Sequence, residues 1–120
     1  MDIKLAKKML GGITYSMGRN MVSGRPVKEI TITPEDLVSL YKEQGGNCYW
    51  SGLPLDPKFN NIKHHPFAIS PERLSNSGPY SKDNVRLCRR MFNLGRMAFP
   101  EDDFRDVMQT LKEEFRENNG

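Results

Sequence analysis

The residues best suited to chemistry lie between Phe67 and Arg96: an acid beside a base at Glu72-Arg73, an amide at Asn84 closing a polar loop, and a second amide at Asn93, nine residues further on. Phe67-Ala-Ile-Ser70 and Val85-Arg-Leu-Cys88 read as two short strands, and the Ser/Asn/Gly/Pro-rich segment between them reads as their turn. With a basic segment carrying Asn93 behind them, the layout is that of a β-hairpin followed by a helix. Its polar groups converge on one small pocket, which could hold a divalent metal against a phosphate. Each residue also has a plainer reading. Glu72 beside Arg73 is a surface ion pair, Asp83-Asn84 is turn chemistry, and Asn93 is a polar residue on a short helix.

The rest of the chain must position that pocket. Residues 2–22 place Ile3, Met9, Leu10, Ile13, Met17 and Met21 at loosely helical spacing, interrupted by Gly11-Gly12, which predicts two short helices or one weak one. Thr33 as cap, Pro34 at the first position and Glu35-Asp36 at the positive end of the dipole predict a second helix, with Leu37, Leu40 and Tyr41 inward and Gly45-Gly46 stopping it. Pro100 opens the last helix, about residues 100–117, with Phe104, Val107, Met108, Leu111 and Phe115 as one apolar stripe.

At 120 residues the chain is long enough for one domain with a modest core; no apolar run reaches membrane-spanning length, and residues 1–28 show no charged n-region followed by an apolar h-region, so secretion is not expected. Two cysteines, Cys48 and Cys88, suit a reducing, cytoplasmic setting and cannot alone build a four-thiolate zinc site. The net charge of +3 is unevenly spread: residues 1–28 hold six Lys/Arg against one acid, residues 82–96 five against one, and residues 101–117 three against seven acids. That asymmetry favours a polyanion at the N-terminal segment and the motif region.

The motifs resemble an HNH-type (His-Me finger) endonuclease, of the branch common in bacteriophages and mobile elements. The frame typical of that branch is matched here by Ser70-Pro-Glu72-Arg73-Leu-Ser75, then Asn76-Ser-Gly-Pro-Tyr80-Ser81, then Lys82-Asp-Asn84-Val85, without a gap. The lead-in Ile32–Leu37, the run Gln44–Pro54 and the ending Asn93-Leu-Gly-Arg96 are similar as well, so the likeness spans roughly residues 30–111. Three positions depart from the frame: Glu72 replaces an Asp, Pro79 a Gly, and Arg73 stands where many HNH enzymes have a histidine base.

The resemblance implies an α+β fold with a ββα-metal core at about residues 67–98, a basic helical arm over 1–28 and a nuclease-type domain over 29–120. It implies a metal-dependent DNA endonuclease that nicks or cleaves phosphodiester bonds. Glu72 and Asn93 would bind Mg²⁺ or Mn²⁺, Asn84 would tie down the loop, and Arg73 would clamp phosphate, since guanidinium does not give up its proton. The base is left to His65, His64 or Tyr80; an extended chain would put His65 roughly 23 Å from Glu72 unless Pro66 and Pro71 bend it back. Zinc is disfavoured, because Ser51 and Met91 occupy the second positions of the two Cys-x-x-Cys pairs. The two thiols are expected to pack together, with Trp50 filling the space. Lys82, Arg86, Arg89, Arg90 and Arg96 would contact DNA phosphates, with Lys4, Lys7, Lys8, Arg19 and Arg25 extending the grip. The alternatives are a catalytically silent DNA-binding relative, or an RNA- or protein-binding accessory module.

Overall fold

Asp2 caps the first helix, its Oδ1 accepting from the Leu5 amide at 2.8 Å. In the computed structural model, which describes residues 1–119, helix α1 then runs unbroken over Ile3–Ser23. Gly11 and Gly12 therefore do not split it. Each glycine costs about 1 kcal/mol relative to Ala, but Ala6, Ile13 and Met17 are buried on one face and hold the helix down. Gly24, at φ 72, ends it. Residues 1–28 are not a free arm, because α1 packs on α2 and Ala6 joins the main core.

Helix α2 (Pro34–Glu43) begins with a capping box in which Thr33 Oγ1 accepts from the Asp36 amide and Asp36 Oδ2 from the Thr33 amide. Leu37 and Leu40 are buried, and Gly45 and Gly46 take positive φ to turn the chain away. Only backbone of that handedness, which glycine adopts without strain, lets the Gly46 amide reach back to the Tyr41 carbonyl at 2.9 Å.

Strands β1 (Ile69–Arg73) and β2 (Val85–Arg89) form an antiparallel pair in which Glu72 lies opposite Arg86 and Ser70 opposite Cys88. The first strand thus starts two residues later than its sequence suggested and extends through Arg73. Pro71 fits because it faces Leu87, whose N–H and C=O point away from β1, so Pro71 owes β2 no donor. A two-stranded ribbon leaves both edges unpaired, and here two amide side chains cover them. Gln44 accepts from the Leu87 amide and donates to its carbonyl, at 2.9 and 2.8 Å. Asn60 does the same for Ile69, at 2.9 and 3.1 Å. Helix α3 (Arg90–Arg96) follows β2 directly, giving the expected hairpin-then-helix order.

Among the described side chains of helix α4 (Glu101–Asn119), the buried ones lie in its first half. Phe104 and Met108 are buried, whereas Val107, Leu111 and Phe115 are 37%, 38% and 63% exposed, so the predicted inner stripe ends at Met108. Among the described residues the architecture is four α-helices and one two-stranded antiparallel sheet, an α+β arrangement, and no helix is long and apolar enough to cross a membrane.

Candidate functional site

Strand β1 and helix α3 together place Glu72, Asn93 and Arg96 on one side of the hairpin. Alternation along β1 turns Glu72 inward, where it is 5% exposed and shielded by Trp50 and Cys88. A carboxylate that loses water must regain partners or lose its charge. Glu72 regains three: Oε2 accepts from Trp50 Nε1 and from the Cys88 thiol, and Oε1 meets Arg96 Nη1 at 3.1 Å.

Arg96 is 1% exposed, the largest fully buried side chain of the described residues. Its guanidinium donates to Glu72, to the carbonyls of Arg73 at 2.7 Å and Phe99 at 2.7 Å, and to the Leu74 carbonyl, and it lies 5.2 Å from the centre of the Trp50 ring. The expectation that Arg96 reaches DNA phosphates is therefore corrected. It follows Asn93 by one helical turn, which turns it toward β1 rather than to solvent. The turn that closes on it puts Met97 at φ 55, a left-handed conformation that costs a non-glycine residue about 1–3 kcal/mol.

Asn93 directs its amide nitrogen at Ser70 Oγ (2.9 Å) and the Pro71 carbonyl (3.5 Å). Its backbone N–H donates to Cys88, whose thiol is nevertheless pushed well above the ordinary range by burial and by the neighbouring Glu72 and Cys48. Cys88 is thus a buried, protonated thiol near Cys48.

Asn84 is the loop anchor that the family frame implies. It accepts from the Ser75 amide at 2.9 Å and donates to the carbonyls of Ser75 and Pro79 at 3.1 and 2.9 Å. A Cβ on Gly78 would lie 2.7 Å from Asn84 Nδ2, so the glycine is required by the amide. Arg73 is spent on the same loop. It donates to the carbonyls of Asn76 (2.6 Å) and Gly78 (3.0 Å) and lies 4.9 Å from the Tyr80 ring centre.

None of the three candidate bases is a hydrogen-bond partner of Glu72 or Asn93 among the described residues. Tyr80 lies under Arg73, and its backbone pairs with Ile30. The His65 ring accepts from the Phe67 amide at 2.9 Å and stacks on Phe59. His64 is exposed at φ 59, its carbonyl taking Arg90 Nη1.

The side chains that the resemblance implies for a divalent cation are engaged by protein partners. The single carboxylate is already neutralised by Arg96, Asn93 points its nitrogen rather than its oxygen at β1, and no three His, Cys, Asp or Glu side chains converge among the described residues. The partners of Glu72 carry signals in the sequence. A buried tryptophan N–H needs an acceptor, and Arg96 is the base one turn beyond Asn93.

The other basic residues remain at the surface. Lys82 pairs with Glu43 at 3.3 Å, Arg86 donates to the Lys82 and Val85 carbonyls, and Arg89 to the Pro54 carbonyl. Lys4, Lys7, Lys8, Arg19 and Arg25 are exposed along and just beyond α1. No family model matches this sequence, and no curated protein or solved structure shows significant similarity to it, so its assignment rests on these residues and their geometry.

Proposed function

We propose that the chain is a DNA-binding domain built on an HNH-type ββα unit, in which the Arg96 guanidinium takes the place of the metal. The observation that carries this reading is the Glu72–Arg96 pair, 3.1 Å apart with both side chains at most 6% exposed. A guanidinium whose donors are met by a carboxylate and three carbonyls is a built-in cation, and removing it leaves a buried carboxylate without a counter-charge. The exposed cations of α1, with the half-buried Arg86, Arg89 and Arg90, then serve as phosphate contacts, which give affinity but not sequence readout.

A second reading, metal-dependent phosphodiester cleavage, is favoured by one specific observation. Asn84 holds the hairpin loop by three hydrogen bonds, as the nuclease frame implies, and Glu72 and Asn93 share one side of the hairpin. A supercoiled-plasmid assay with Mg²⁺, Mn²⁺ or EDTA, run beside a gel-shift measurement, separates the two. DNA binding without conversion to open circles under any metal supports the binding domain. Metal-dependent nicking, lost in Asn93→Ala, replaces it with the nuclease. Asn93→Ala is the better probe because Glu72→Ala also strands Arg96.

A further inference from the structure

At the Ile69–Arg89 end of the hairpin three rings pack together outside the main core. His65 stacks on Phe59 with centroids 4.5 Å apart, and Phe67 meets Phe59 edge-on at 5.5 Å and His65 at 5.5 Å. Cations cap the cluster on two sides. Arg89 lies 4.3 Å from the Phe67 ring centre, held there by its bonds to the Pro54 carbonyl, and Lys58 Nζ is 5.1 Å from the Phe59 centre. Phe67 is 36% exposed, and the Lys58 side chain 69%.

Closing this loop does not require aromatic residues. Asn60 already anchors the segment to Ile69 by two bonds, and the amides of Arg90 and Met91 tie it to α3 through the Ala68 and Pro66 carbonyls. A partly exposed ring with half-buried rings and cations beside it is instead the chemistry that receives unpaired bases. Bases stack on rings whatever their identity, and adjacent cations hold the backbone. Lys58, which pairs with Asp56 at 3.6 Å, also lines a cleft of 520 Å³ together with Asp2, Lys4 and Lys8.

We infer that Phe59, His65 and Phe67, flanked by Lys58 and Arg89, form a stacking platform for unpaired bases, so that the preferred partner is single-stranded or frayed DNA. This rests on the DNA-binding reading and names its substrate class. The test is fluorescence anisotropy with labelled oligothymidylate, an abasic strand of equal length and a duplex, using wild type, Phe67→Leu and Phe67→Trp. Wild type should prefer oligothymidylate to duplex. Phe67→Leu should bind oligothymidylate roughly tenfold more weakly, with the abasic strand unaffected and circular dichroism unchanged, and Phe67→Trp should restore affinity. The platform is overturned if Phe67→Leu and wild type bind oligothymidylate alike, if the abasic strand loses as much, or if duplex is preferred. Failure of wild type to bind any of the three would overturn the DNA-binding reading as well, a result distinct from loss of the platform alone.

Discussion

The two ends of the hairpin use the same residue types to opposite effect. At the Glu72 end an arginine, a carboxylate and a tryptophan are closed over one another, and Arg96 is 1% exposed. At the Ile69–Arg89 end an arginine, a lysine and three rings pack near the surface, with Phe67 at 36% exposure. Charge inside the protein must be matched bond for bond, whereas charge beside an open ring can be matched by a ligand. The closed end therefore supplies rigidity, and the open end is where recognition is expected.

The largest effect should come from splitting the closed pair. Glu72→Leu or Arg96→Met alone should cost about 3–5 kcal/mol, because each leaves one buried charge uncompensated, while the two changes combined should recover much of the loss. Urea unfolding of the four proteins measures this. Equal, additive losses would show that the pair is not coupled.

The loop that joins the strands comes next. Asn84→Ala removes three hydrogen bonds and should cost about 1–3 kcal/mol, seen as a lower urea midpoint. Gly78→Ala should destabilise in the wild type and less so in Asn84→Ala, since the clashing Nδ2 at 2.7 Å is then gone.

A smaller effect tests an exposed acid–arginine pair against the buried one. The Tyr49 hydroxyl donates to Glu101 and Arg105 pairs with the same carboxylate, each at 2.6 Å, and together they hold Glu101 below the usual carboxylate range despite partial burial. A depressed folded pKa means the contribution is present above the unfolded pKa and is lost as pH falls through the folded one. Tyr49→Phe should therefore lower thermal stability at neutral pH by at most about 1 kcal/mol and flatten its decline in acid. Thermal melts of both proteins across the acid limb check the sign. Smallest of all, Phe67→Leu at the open end should change stability by less than about 0.5 kcal/mol; a larger loss of melting temperature would make the ring cluster structural and erase the contrast between the two ends.

Where local chemistry decides, the structure follows the sequence. Thr33-Pro34-Glu35-Asp36 forms its capping box, Gly45-Gly46 turns the chain, and Asn84 ties its loop, because each depends on neighbours within a few residues. Where two influences of similar size compete, local signals mislead. Gly11-Gly12 looked like a break, but the buried face of α1 outweighs their cost. Heptad-like spacing in α4 suggested a full inner stripe, yet the body of the domain reaches only to Met108.

The sequence by itself determined the order hairpin then helix, the polar loop, and the concentration of basic residues near the motif, since these follow from periodicity, turn chemistry and charge counts. Only the tertiary structure decided the fate of each polar side chain. Arg96 became the partner of Glu72, Arg73 a brace for its own loop, and Gln44 and Asn60 the edges of the sheet. Burial sets how much a charge or amide must be satisfied, and partners 16 to 43 positions apart in the chain come within bonding distance only when the core closes.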